Sequence, residues 1–192
     1  MKIAFIGSHG VGKTTLCYDL AARLKRQDRA VDLVAEVARS SPLPINRETT
    51  LQAQAWILHT QIAREIAAEA QNDIVICDRS VLDNYAYLVH QAGRQEAYDA
   101  LVRAWVGSYA GLFKVPITAA PSFDGKRDVS ETFQRDIDAV IDELARDLGV
   151  RFHQLDPGGR DGWVDEVLLA SGLPLHPPQI DLFPRPEDVP AA

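Results

Sequence analysis

The chain is predicted to be α/β, a mostly parallel five-stranded sheet with helices on both faces. Three features predict it. Short apolar runs alternate with amphipathic stretches over residues 1–172, the pattern of strands and crossover helices. The run Ile74-Val75-Ile76-Cys77 has no polar alternation, as expected for a parallel strand buried on both faces. A glycine-rich turn joins the first apolar run to the first helix, at the strand end where such sheets carry their ligands.

In chain order, the first strand is Ile3–Ile6, stopped by Gly7. The first helix carries Leu16, Leu20 and Leu24 at spacing four and ends near Arg26. The second strand is Val31–Ala35. After a proline loop, Asn46 or Thr49 starts a long helix; Thr49 and Gln52 fit a capping box. Its apolar stripe is Leu51, Ala55, Leu58, Ile62 and Ile66. The third strand is Ile74–Cys77. Helices follow at about Val81–Gln91 and Gln95–Ala110, then a fourth strand within Leu112–Ile117 and a loop at 120–128. The helix at about Ser130–Leu148 has the cleanest period, with Phe133, Ile137, Val140, Ile141, Leu144 and Leu148 at helical spacing and Gly149 at its end. A fifth strand covers Arg151–Leu155, and the last helix runs from an Asp161 cap to Gly172. Six of the eleven prolines fall in residues 173–192, so this tail is expected to be extended or disordered, docked by Leu182 and Phe183.

Composition narrows the class. With 192 residues, 46% of them hydrophobic, the chain is one domain with a real core and not a disordered segment. It has no apolar run of the roughly 18 residues that a membrane span needs. A formal charge of −7 argues against polymeric nucleic acid as a partner. Any anion must be met by local positive charge. Cys17 and Cys77 have no metal-ligand spacing and make no disulfide framework, and Met1–Gly7 lacks a signal-peptide layout. A reduced, cytoplasmic protein is expected.

Gly7-Ser8-His9-Gly10-Val11-Gly12-Lys13-Thr14 matches G-x-x-x-x-G-K-[ST] between a strand and a helix, the context that gives the pattern its meaning. Glycines let successive N–H groups converge on phosphate oxygens, and the helix amino end adds favourable partial charge. Residues Gly7 to Thr14, with Thr15, are therefore the expected loop for a nucleotide triphosphate, and the loop does not identify the base. Lys13 reaches the β- and γ-phosphates, and the Thr14 hydroxyl serves Mg²⁺. His9 occupies a variable position and reads as an exposed loop histidine. Asp78 closes the third strand as a Walker B acid does, a second Mg²⁺ ligand.

Asp78-Arg79-Ser80, with Asp83 five residues after Asp78, resembles the acid–arginine motif of P-loop nucleoside and nucleotide kinases. The longer stretch Asp78–Tyr87 resembles a kinase-like ATPase family labelled AAA, related to the ribosylnicotinamide kinase domain. The resemblance implies a three-layer P-loop NTPase fold and a phosphotransferase of ATP and Mg²⁺. It implies that Arg79 contacts the transfer centre or the acceptor, with Asp83 at the substrate. Glu36 closes the second strand, where deoxynucleoside kinases place the acid that deprotonates the acceptor. That makes Glu36 the candidate general base and Arg39 a candidate acceptor-site residue, although Val37 stands where that family has proline. A lid is implied at about 120–130, with Arg127 closing on the transferring phosphoryl group and Lys126 and Arg135 behind it. Gln54, Trp56 and His59 are possible lining residues; Tyr85 and Tyr87 read as packing.

Other NTPase classes lack their signatures: there is no Asn-Lys-x-Asp and no Leu-Ser-Gly-Gly-Gln. Two readings stay open. One is a kinase acting on a small nucleoside- or nucleotide-like acceptor. The other is a nucleotide-dependent ATPase switch or partner-binding protein without an acceptor substrate. Oligomeric state, monomer or homodimer, is not read from the sequence.

Overall fold

The computed structural model describes residues 1–45, 48–120 and 130–177. Five strands, β1 (Lys2–Ile6), β2 (Val31–Val34), β3 (Ile74–Asp78), β4 (Gly111–Lys114) and β5 (His153–Gln154), form one sheet in the order β2-β3-β1-β4-β5. All four pairings are parallel. The helices are α1 (Lys13–Lys25), α2 (Leu51–Glu69), α3 (Val81–Ala92), α4 (Glu96–Val106), α5 (Glu131–Leu148) and α6 (Trp163–Ala170).

The sheet's two faces explain the unbroken apolar strands. Along β1, Ile3 and Phe5 join one buried cluster while Ala4 and Ile6 join the other. In β3, Ile74 and Ile76 alternate with Val75 and Cys77 in the same way. The first cluster packs α1 and α6 through Leu16, Leu20, Leu24, Trp163 and Val167. The second packs α2, α3 and α5 through Leu58, Leu82, Tyr85, Ile137 and Ile141. This is the three-layer α/β fold expected. Both cysteines are buried, and burial pushes their thiols well above the ordinary range.

Several local expectations are corrected. The α2 cap is Thr50, whose side chain accepts from the Ala53 amide, one residue beyond the Thr49 expected. The buried face of α2 is Ala53, Gln54, Ile57, Leu58, Gln61, Glu65 and Ala68, while Leu51 and Ile66 are exposed. Three of these seven inward side chains are polar, so apolar periodicity points to the wrong stripe. The expected second and fifth strands are trimmed to four and two residues, and the fourth starts one residue earlier than expected and ends at Lys114. Asp161 does not cap the last helix; it lies in a 3-10 turn, Arg160–Gly162, ahead of α6. Ser130 and Gly149 bound α5 as expected. The described start of the tail docks on the α1–α6 side: Leu173 and Leu175 pack there, and Gln27 Nε2 donates to the Pro174 carbonyl at 3.0 Å. Asn46, Leu182 and Phe183 lie outside the described residues.

Candidate active site

The carboxyl ends of β1, β2 and β3 open onto a cavity of about 370 Å³. From the Gly7–Thr15 loop it is lined by His9, Gly10, Gly12, Lys13, Thr14 and Thr15; from the ends of β2 and β3 come Glu36, Arg39, Asp78 and Arg79. Two glycines show why the loop needs this composition. Gly7 has φ +135°, and a Cβ there would sit 2.8 Å from the Val115 carbonyl oxygen, a backbone atom that cannot move aside. Gly12 caps α1 at φ +99°. Ser8 and Val11 are buried beneath the loop, and the Ser8 hydroxyl makes no hydrogen bond.

Lys13 is buried, and its ammonium donates to the Gly7 and Ser8 carbonyls at 2.7 and 2.6 Å. Burial, helped by the neighbouring Arg79 charge, lowers its pKa to about 8. The Thr14 hydroxyl donates to Asp78 Oδ2 at 2.6 Å. Burial raises the Asp78 pKa against the pull of Lys13. One hydroxyl and one carboxylate, all oxygen, suit Mg²⁺, which keeps several waters and takes the rest of its shell from phosphates. Among the described residues no cluster of three or more His, Cys, Asp or Glu forms a metal cage.

Across the cavity, Arg79 is buried and its Nε donates to Glu36 Oε1 at 2.9 Å. Glu36 Oε2 accepts from Arg39 Nε at 2.7 Å. Burial alone would push the Glu36 carboxyl up; the charges of Arg79 and Lys13 and the two arginine hydrogen bonds outweigh it and hold it at about 2. The two arginines and one acid thus form a preassembled cluster facing the phosphate loop.

The structure gives two candidates different surroundings. Asp83 is fully buried behind the loop and is not part of the cavity wall. Its Oδ2 accepts from the Gly7 amide at 3.2 Å and its Oδ1 from Ser80 Oγ at 3.2 Å, so it ties α3 to the loop. Burial raises its pKa to about 6 against the Lys13 and Arg79 charges. His9 is buried too, not an exposed loop side chain: its Nδ1 lies 3.3 Å from the Tyr87 hydroxyl and its ring packs on Phe133.

Of the suggested lining residues, Gln54 reaches the cavity, whereas Trp56 and His59 do not. Tyr87 also lines it, under the Arg79 guanidinium at 5.0 Å, which corrects its reading as packing alone. Tyr85 is buried packing. Arg135 pairs with Glu131 on the exposed side of α5. Arg127, Lys126 and most of the expected lid fall outside the described residues. Sequence reasoning missed Asn84, Ile57 and Arg160 on the wall. Arg160 follows β5 and lies over the Trp163 ring at 5.9 Å. No motif marks it in the sequence, since it stands six residues beyond the end of β5.

Residues 2–161 match a family model described as an AAA domain. Sequence comparison with curated proteins gives no match. Among solved structures, deoxyadenosine kinase from M. mycoides with bound dATP superposes with a TM-score of 0.64 at 14% identity, over 90% of this chain and 99% of that one. The same enzyme with dCMP and dCDP gives 0.61, also at 14% identity and over the same shares. Thymidylate kinase from Ehrlichia chaffeensis gives 0.63 at 19% identity, over 88% and 98%. With the family model spanning most of its length, the chain belongs to this AAA-domain family, and its fold is similar to that of these nucleoside and nucleotide kinases.

Proposed function

We propose that the protein is an ATP-dependent kinase that transfers the γ-phosphoryl group to a hydroxyl or phosphate of a small nucleoside- or nucleotide-like acceptor. The observation that carries this reading is the Glu36–Arg39–Arg79 cluster, built at the ends of β2 and β3 and sharing one cavity with the Gly7–Thr15 loop. A nucleotide switch needs the loop alone; an acceptor needs the second half.

The division of labour follows from the residues. The amides of the loop and Lys13 bind the triphosphate, and Arg160 flanks it beside Gly12. Thr14 and Asp78 would hold Mg²⁺, which when bound neutralises charge on the transferring group. Arg79 and Arg39 supply positive charge on the acceptor side, where positioning and charge stabilisation dominate the chemistry. Glu36 takes the acceptor proton. At about 2 its carboxyl is a weak base in the ligand-free site. Phosphate oxygens compete for Arg79 and Lys13, the cations that hold it down, so its basicity rises as the donor binds. Arg127 is proposed to complete the charge from the lid. The apolar Ile57 and Ala38 with the polar Gln54 and Asn84 suit a flat heterocycle more than a bare phosphate.

The test is a panel of nucleosides, nucleotides and ribosides with ATP and Mg²⁺, read by ADP release and product mass. Acceptor-dependent ADP release from at least one compound is expected. Slow hydrolysis indifferent to every acceptor overturns the kinase reading and favours the switch.

A further inference from the structure

Arg79 is the residue on which the acceptor half of the cavity turns, and its backbone is strained. Its φ is +94°, one of only two positive values at non-glycine positions among the described residues. An L side chain rarely adopts this conformation, and it persists only where the surroundings impose it. Two backbone groups of this turn are held by side chains that do not line the cavity.

The Arg79 carbonyl accepts from Gln61 Nε2 at 3.3 Å. Two residues on, the Val81 amide donates to the Tyr109 hydroxyl at 3.1 Å. Both partners converge on one fully buried carboxylate. Glu65 Oε1 accepts from Gln61 Nε2 at 2.8 Å and from the Tyr109 hydroxyl at 2.7 Å. Its Oε2 accepts from Trp105 Nε1 at 2.7 Å and pairs with Lys2 Nζ at 3.0 Å. The Lys2 ammonium lies over the Trp105 and Tyr109 rings, at 4.7 and 4.8 Å.

A carboxylate offers only acceptors, and this sets the polarity of everything that touches it. The Tyr109 proton goes to Glu65, which leaves the phenol oxygen to accept from Val81. The Gln61 amide turns its NH₂ to Glu65 and so to the Arg79 carbonyl. The cost of that orientation is visible: Gln61 Oε1 is buried without a hydrogen-bond partner. The reverse orientation would set oxygen against oxygen on both sides.

We infer that Glu65, acting through Gln61 and Tyr109, is a positioning device that holds the β3–α3 turn in the strained conformation presenting Arg79 to Glu36 and the cavity. Its importance for turnover rests on the phosphotransfer reading above; the positioning itself does not. Glu65 is fully buried and is not part of the cavity wall.

The readout is the Arg79 side chain. Its Nε–H is buried and bonded to Glu36, so it gives a slowly exchanging resonance in ¹⁵N-labelled protein. Gln61→Met and Tyr109→Phe keep bulk but each strip the turn of one partner. Both are expected to speed exchange of the Arg79 Nε–H by at least about tenfold through local opening. Val102→Ala, a cavity in the same buried cluster that removes no hydrogen bond from the turn, serves as the control for lost stability and should change that rate by less than about threefold. Equal rates in the three variants overturn the inference, whether all are fast or all slow. A second measurement needs no variant. Amides in the first turn of a helix ordinarily lack intrahelical partners, yet the Val81 amide of the wild-type protein should exchange as slowly as those of β3. Exchange at the rate of an exposed amide overturns the inference. Neither measurement involves turnover, so a failure of the kinase reading in the acceptor panel is separable from a failure here.

Discussion

Lys13 holds its own loop closed when no phosphate is present, and that arrangement carries a titration signature. With its pKa at about 8, the side chain is part-neutral in mildly alkaline solution. Triphosphate oxygens replace the loop carbonyls with full negative charge and raise that pKa, so nucleotide binding draws in a proton. At pH 8.5 an uptake of about 0.7 proton per ATP is expected, falling toward zero from this group near pH 6.5. Titration calorimetry in buffers of different ionisation enthalpy measures it, and an uptake that does not grow with pH sinks the Lys13 assignment. Glu36 gives the second residue-scale prediction. Glu36→Gln keeps its shape but cannot take a proton. ATP binding should persist while transfer drops at least about 100-fold; near-normal turnover in the acceptor assay would refute the base role. The phosphate loop, Asp78 and the Glu36–Arg79 cluster were legible because each follows a strand in a patterned motif. Tyr87, Asn84 and Arg160 were not. Their side-chain types are common on any helix or turn, and only the fold brings them to one wall.

At the scale of elements, α2 separates what sequence periodicity records from what it cannot. The helix itself is plain in the sequence. Its inner face is not, because Gln54, Gln61 and Glu65 are buried by hydrogen bonding and their burial leaves no apolar signature. The same helix serves the cavity with Gln54 and the β3–α3 turn with Gln61 and Glu65, seven and four residues apart along one face. Its amino end divides labour between adjacent threonines. Thr50 caps the helix, while the Thr49 hydroxyl accepts from Gln54 Nε2 at 2.7 Å and so orients a cavity-lining side chain. Two variants should therefore behave in opposite ways. Thr50→Ala costs about 1 kcal/mol of stability, a fall of roughly 2–4 °C in melting temperature, with acceptor KM unchanged. Thr49→Val leaves the cap intact and raises acceptor KM. Melting curves and initial rates on both proteins check this, and a loss of stability confined to Thr49→Val would reverse the assignment.

The whole molecule carries its site charges in opposing pairs, and its stability should respond to pH in two opposite steps. Asp83 has a folded pKa raised to about 6 by burial, above the unfolded value of 3.8. Between those values the folded chain binds more protons, so this group costs stability above pH 6 and releases that cost as pH falls from about 6 to 3.8. Glu36 has the reverse sign. Held at about 2 against 4.5 unfolded, it contributes stability above pH 4.5 that is lost as pH falls toward 2. Each shift corresponds to something on the order of 3 kcal/mol, and the two act with opposite sign over different pH ranges. Asp78, raised by burial, adds to the first step. Asp99, lowered by Arg94 and Tyr85 against the effect of burial, adds to the second. The ligand-free protein should therefore be more stable to urea at pH 5 than at pH 7, and should lose stability steeply below pH 4. The net charge of −7 pushes the same way, because protonation relieves self-repulsion. Asp83→Asn separates the two causes. The amide oxygen can still accept from the Gly7 amide, but the group no longer titrates, so most of the gain between pH 7 and pH 5 should vanish while the loss below pH 4 remains. A gain of full size in Asp83→Asn would assign the pH response to net charge instead of to the buried acid behind the phosphate loop.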